Sequence, residues 1–368
     1  MVGPKAIIHL DRLKSNLDLI RKQVNDKPIM AVVKANGYGH GGVASAKALE
    51  TQGCEFFAVF TMDEGIELRQ AGIQSNVLVF SRIDTSRLQE AVDHKLTLNL
   101  CNELDISTLT HFFNGKGVCP KVHLKVDTGM TRLGIDVDDA EKIITQLIAH
   151  PEIPCEGIYS HYSTADEGDL SFAREQELKF KLVLETANKI GFTFKYIHFS
   201  NSGAAINLDQ SIFNMVRVGM MLYGAFPSPE VPMDIPLNPV MEFRAPIVNV
   251  RNVPAGTQVS YGGVFTTKYE SNIGVIQCGF ADGIPRPWYQ NGHIMFNGNK
   301  YNIAGRICMD QFMVDFKGVE PNVGEEVLIM GDGDGGSIRM EEIAETIDST
   351  PYVIATGIGG RTQRIYQD

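Results

Sequence analysis

Short apolar runs alternate with amphipathic stretches over the first two thirds of the chain. The runs are 29–34 "IMAVVK", 55–60 "EFFAVF", 77–80 "VLVF", 96–100 "LTLNL", 121–126 "KVHLKV", 156–160 "EGIYS", 196–199 "YIHF" and 214–218 "NMVRV". Between them lie segments such as 61–72 "TMDEGIELRQAG" and 169–190 "DLSFAREQELKFKLVLETANKI", whose apolar positions recur at helical spacing. The segment "IIHLDRLKSNLDLIRKQV" places Leu10, Leu13, Leu17, Ile20 and Val24 on one helical face with charges between them. That pattern predicts an amphipathic helix rather than a signal peptide. Eight strand–helix units within about 230 residues match a (β/α)8 TIM-type barrel in count and length. Periodicity does not report closure, so an open doubly wound sheet is the alternative.

The alternation stops at "PSPEVPMDIPLNP", residues 227–239, with five prolines in thirteen positions. Such a stretch propagates neither helix nor central strand and reads as a linker. Beyond it, "VMEFRAPIVNVRNV", "IGVIQCGF", "IMFNGNKYNIAG", "QFMVDF" and "EVLIM" are strand-like runs broken by Gly and Asn, with "FNGNK" a hairpin turn. The expected organisation is an α/β chain, a barrel over 1–235 followed by a mostly-β domain over 236–368. A length of 368 residues independently favours two domains. "GDGDGG" at 331–336 lacks the spaced ligands and terminal glutamate of a calcium loop and reads as an acidic turn, so no metal is expected.

Composition narrows the function classes. A formal charge of −11 with no basic cluster argues against nucleic-acid binding. No apolar run reaches membrane-spanning length. The six cysteines form no C-x-x-C pair and are too sparse for a disulfide framework, so a cytoplasmic location is expected.

Chemistry in such barrels sits at the C-terminal ends of the strands. Lys34 closes the first run and Tyr38 follows it. Lys125 and Asp127 close the fifth, with Arg132 in the loop "DTGMTRLG"; His161 closes the sixth, Asn201 and Ser202 follow the seventh, and Arg217 lies at the eighth ahead of Gly219 and Met220. The loops after the last two strands are a common phosphate site, where Ser202 offers a hydroxyl and Gly219–Met220 offer backbone N–H groups. A lysine amine able to condense with an aldehyde, set beside a phosphate site, suits pyridoxal 5′-phosphate (PLP). Burial lowers a lysine's pKa and makes the neutral amine available.

At these positions the chain resembles the fold-type III, alanine-racemase-type PLP enzymes. The likeness rests on "AVVKANGYGHG", "KVDTGMTRLG", "NSGAA", "MVRVGMMLYG", "VSYGG" and "GRICMDQ", in order from the first helix to near the C-terminus. It implies that Lys34 carries PLP, that Tyr38, Ser202, Gly219 and Met220 hold its phosphate, and that Arg217 faces the pyridine nitrogen. His161 and Asn201 would complete the cofactor site. Arg132 would contact the cofactor's phenolic oxygen and the substrate carboxylate. Tyr261 and Met309 would enter from the partner subunit of a homodimer, Met309 beside the substrate. In many relatives the lysine at position 125 is carbamylated. Some relatives are expected to place a phosphate-binding tyrosine where this chain has Gly360.

Racemisation needs a proton removed from one face of the α-carbon and one returned to the other, and Lys34 and Tyr261 would be the two bases. A phenol titrates at about 10, so Tyr261 would need help from His161 and Arg217. An arginine opposite the ring nitrogen keeps that nitrogen neutral and favours return of the proton over side reactions. The expected function is interconversion of L- and D-alanine, supplying D-alanine for peptidoglycan. The alternatives are a racemase of serine, which differs mainly in pocket size, a racemase of broad specificity, whose relatives typically carry a secretion signal, and a non-catalytic PLP-homeostasis barrel. That barrel lacks the β domain and the "VSYGG" tyrosine.

Overall fold

Nine short strands span the first part of the chain: β1 (Lys5–His9), β2 (Ile29–Val32), β3 (Phe56–Val59), β4 (Asn76–Val79), β5 (Leu96–Leu100), β6 (Val122–Asp127), β7 (Ile135–Asp136), β8 (Cys155–Tyr159) and β9 (Tyr196–His198). They are followed by β10 (Val216–Val218) and the long β11 (Met241–Val253). The computed structural model describes residues 3–333 and 335–368. Eight of these strands run parallel in the order β10-β2-β3-β4-β5-β6-β8-β9. The ring closes where His198 bridges Met215, with the N–H groups of Asn214 and Arg217 donating to the carbonyls of Ile197 and Ser200 at 3.1 and 3.0 Å. Closure selects the barrel over the open sheet.

Helices follow the strands for local reasons. Residues Met62–Gln70 form a helix whose Thr61 side chain accepts from the Glu64 N–H while Glu64 reaches back to the Thr61 N–H. A cap of this kind stabilises a helix by about 1 kcal/mol. The N-terminal helix Leu10–Gln23 buries Leu13, Leu17 and Ile20. No helix of the described residues is long and apolar enough to cross a membrane.

The interior of the barrel is partly polar, and strand alternation explains how. Along β6, Val122, Leu124 and Val126 share one face while His123 and Lys125 share the other; all five are buried. Register aligns His123 with Gly157 and Tyr196, and Lys125 with Tyr159 and His198. Hydrogen bonds between His123 and His198, and from Tyr159 to Asn99, fix this second face as the inside.

The second domain is the expected mostly-β unit. Strand β11 pairs antiparallel with Glu326–Gly333 and with Ser271–Ile276. The hairpin at "FNGNK" is present, with Asn297 and Gly298 both at positive φ between paired strands His293–Phe296 and Asn299–Asn302. The strands around 331–336 meet at Gly333 and Gly336, and Asp334 of that acidic turn lies outside the described residues. Strand β1 is the surprise. Residues 5–9, which the expected division leaves with the barrel, pair antiparallel with β11 and parallel with Gln363–Gln367.

The proline segment forms no helix or strand. It is docked rather than loose: the Asn16 side chain donates to the Asn238 carbonyl at 2.8 Å and accepts from its N–H at 2.9 Å, and Arg12 donates to the Pro239 carbonyl at 3.0 Å.

Candidate active site

The strand β2 ends at Val32, and the chain after Lys34 turns in the left-handed sense. Ala35, Asn36, Gly37 and Tyr38 have φ of 52, 53, 60 and 49°. For residues other than glycine this conformation is disfavoured by about 1–2 kcal/mol each, so surrounding bonds must hold it. The Ala35 N–H donates to Glu64 at 2.6 Å, the Asn36 side chain accepts from the Gly42 N–H at 2.8 Å, and Arg364 donates to the Gly39 carbonyl at 2.7 Å. Gly39 is required twice over, by its φ of 80° and because a methyl there would overlap the Ala355 carbonyl oxygen. Through Arg364 and Ala355 the second domain braces the turn that presents Lys34.

Lys34 lies in a cavity of about 610 Å³ at the C-terminal mouth of the barrel. Of the expected site residues, Tyr38, Lys125, Arg132, His161, Asn201, Ser202, Arg217 and Gly219 also line it. Four of the nine are cations, and Asp166 is the carboxylate on the wall. Asp127 is committed elsewhere, accepting from the N–H groups of Gly129 and Thr131 at 2.9 and 3.1 Å. A cavity so charged attracts anions. Burial and the nearby Arg132 lower the pKa of Lys34. Burial, Arg132 and Arg217 lower that of Lys125 to about 8.

Arg217 is 3 % exposed and has no acidic partner among the described residues. Its terminal nitrogens meet the Nδ1 atoms of His198 and His161 at 3.0 and 3.1 Å and the carbonyls of His198, Ser160 and Phe199 at 2.8–3.1 Å. Its Nε–H carries no hydrogen bond to the described residues, which leaves a donor for the cavity. Guanidinium only donates, so His161 must accept at Nδ1 and carry its proton on Nε2. Burial and the Arg217 charge hold His161 neutral, well below its ordinary pKa.

The opposite side of the cavity forms a cradle. Asn201 caps the short helix Ser202–Asn207, accepting from the Ala204 N–H at 2.9 Å, and the Ser202 hydroxyl accepts from the Gly219 N–H at 3.2 Å. A methyl at Gly219 would sit 2.6 Å from the Tyr38 hydroxyl and fill the space. Met220 does not line the cavity; its side chain is buried at the start of a short 3-10 turn.

Sequence reasoning did not single out several wall residues, among them Tyr159, Tyr162, Asp166 and Tyr352. Tyr352, from the helix Pro351–Gly357, lines the cavity with its ring 5.8 Å from that of Tyr38. A methyl at Gly360 would meet nothing within 4 Å, and that position is away from the cavity. Tyr352 thus brings a phenol ring to the wall of the cavity, beside Tyr38. Tyr261 and Met309 are not brought to the cavity of their own chain and stand 66 % and 56 % exposed on the second domain. Among the described residues no group of three or more His, Cys, Asp or Glu is placed to hold a metal ion.

Residues 8–227 match the family described as alanine racemase, N-terminal domain, and 240–366 match alanine racemase, C-terminal domain. The chain belongs to the alanine racemase family. It is 39% identical over 362 residues to alanine racemase 2 of Caldanaerobacter subterraneus subsp. tengcongensis, covering 98% of this chain and 93% of that one. The structure of alanine racemase from Streptomyces lavendulae superposes with a TM-score of 0.94 at 33% identity, covering 100% of this chain and 98% of that chain. The Bartonella henselae alanine racemase, with covalently bound pyridoxal phosphate, superposes with a TM-score of 0.89 at 27% identity and full coverage of both chains. The enzyme is thus an isomerase, with the barrel and β domain of its family.

Proposed function

We propose that the enzyme uses PLP to interconvert L- and D-alanine, with Lys34 and Tyr261 as the two bases. The observation that carries this reading is an amine of lowered pKa at a strand end, in a cation-lined cavity that also holds a cradle for a phosphate. PLP supplies an electron-withdrawing ring that makes the substrate's α-proton acidic. Tyr38, Ser202, Asn201, the backbone at Gly219 and Met220, and Tyr352 would hold the phosphate end. The free Nε–H of Arg217 would meet the ring nitrogen, with His161 keeping that guanidinium in place. Lys34 holds or releases the proton on one face of the α-carbon, and Arg132 orients the substrate carboxylate.

The other face needs Tyr261, and no described contact brings it near Lys34 within one chain. A second copy of the chain supplies it, together with Met309 against the substrate. The exposure of Val264 and Phe280 on the same domain, and of Phe60 on the cavity rim, supports burial of these faces in a homodimer. Lys125, which feels the charges of Arg132 and Arg217 and has no ion pair among the described residues, is read as a carbamate. The reading places the enzyme in the cytoplasm, where D-alanine feeds peptidoglycan assembly.

The test is chiral chromatography of PLP-loaded enzyme with L-alanine and, separately, L-serine. Alanine should approach equal amounts of both enantiomers with the higher kcat/KM. A higher kcat/KM for serine, or no D-alanine, would overturn the assignment.

A further inference from the structure

We infer that His123 is a positioning residue for this reaction, acting through His198 to fix the donors of Arg217. The inference rests on the reading of Arg217 as the group that faces the cofactor ring. Arg217 donates to His198 Nδ1 at 3.0 Å, and a guanidinium cannot accept. His198 must therefore carry its proton on Nε2. That nitrogen lies 2.9 Å from His123 Nδ1, which must be bare to accept it. One tautomer thus dictates the next along the barrel interior, from the cofactor end toward the opposite mouth. Both rings are buried, and both are held neutral by that burial and by the Arg217 charge.

The packing leaves this arrangement no slack. The Tyr159 ring stacks on His198 at 4.9 Å and 7°, which sets the plane of the imidazole so that its two nitrogens point only at Arg217 and His123. Opposite His123 in register stands Gly157, where a methyl would lie 2.7 Å from the His123 ring. The chain has made room for an imidazole at this point, out of contact with the cavity.

Removing the acceptor at 123 leaves the His198 Nε2–H buried without a partner. Arg217 still holds that proton on Nε2, so the imidazole swings in search of another acceptor and draws its Nδ1 away from the Arg217 donor. The guanidinium loses one of its bonds, tilts on those that remain, and carries its Nε–H with it.

The experiment uses PLP-loaded enzyme with 15N-labelled histidine, whose long-range 1H–15N spectra report which ring nitrogen carries the proton. The wild type should show His198 protonated on Nε2 and bare at Nδ1. H123N places an amide oxygen where Nδ1 stood, so its spectrum and kcat should stay close to wild type. H123L should leave the His198 proton on Nε2 but shift the His198 ring signals, and lower kcat roughly five- to a hundredfold, with KM for alanine changed by less than about twofold. G157A, which pushes on the His123 ring without removing it, should lower kcat in the same direction. His198 protonated on Nδ1 in the wild type would overturn the inference, and that reading needs neither a stable variant nor racemase activity. Equal losses in H123N and H123L, or an unchanged H123L, would overturn it as well.

Discussion

Lys125 is buried with its amine 5.6 Å from the Tyr159 ring centre, and burial, Arg132 and Arg217 lower its pKa from 10.5 to about 8. A lysine with a lower pKa folded than unfolded weakens the fold wherever it is charged. Each unit is worth about 1.4 kcal/mol, so an ammonium here would destabilise the protein by about 3 kcal/mol near pH 7. That penalty would fade as pH rises from about 8 toward 10.5. The same shift prepares an escape. At pH 7.5 about a quarter of such amines are neutral, against about one in a thousand for an ordinary lysine. A neutral amine adds to carbon dioxide, forming an N–C bond and releasing a proton, and the product is an anion between two arginines. Lys125→Met keeps most of the side chain's length and removes either charge. If position 125 is a carbamate, the variant should unfold at lower urea than wild type, and bicarbonate should stabilise the wild type alone. A carbamate carbon should appear by 13C NMR in wild type equilibrated with 13C-bicarbonate, and short carboxylic acids should restore part of the activity of Lys125→Ala. A wild type without that carbon, together with a Lys125→Met variant stabilised by about 3 kcal/mol at any bicarbonate level, would refute the reasoning.

Lys34→Ala and Tyr261→Ala should each be inactive with alanine, but mixing and re-equilibrating the two should restore about a quarter of wild-type activity, since half the dimers then hold one intact site; no recovery would place Tyr261 outside a shared site. Tyr352→Phe removes a hydroxyl from the phosphate end and should weaken PLP binding roughly tenfold to a hundredfold in an equilibrium titration, whereas unchanged affinity would return Tyr352 to a packing role. Arg217→Glu puts a carboxylate where the ring nitrogen is expected, so racemisation should slow and transamination should appear as released pyruvate; racemisation without pyruvate would show that Arg217 does not face the ring.

The barrel was legible because its strands are buried on both faces and read as continuous apolar runs, eight of them at regular spacing. Closure was not, since it depends on a bridge between His198 and Met215 that periodicity does not report. Strand β1 escaped for a related reason: its partners lie at 241–244 and 363–367, and nothing local in "KAIIH" announces them. The same distance hid Tyr352, which reaches the cavity from the far end of the chain to lie beside Tyr38. Lys34, Lys125 and Arg217 were visible because each interrupts or ends an apolar run. His123 and His198 interrupt such runs too, yet their partnership appears only when register brings two strands together.

Two bases on opposite faces of one carbon would leave their mark on the source of the proton in the product, which tests the proposed mechanism most directly. L-alanine deuterated at the α-carbon is converted in ordinary water, and the first D-alanine formed is separated and its isotope content measured by mass spectrometry. With Lys34 and Tyr261 dividing the task, the proton removed and the proton delivered sit on different groups, and the initial D-alanine should carry hydrogen from solvent and no deuterium. D-alanine that retains a substantial share of the deuterium would mean one group serves both faces, and the absence of D-alanine would contradict the assignment itself.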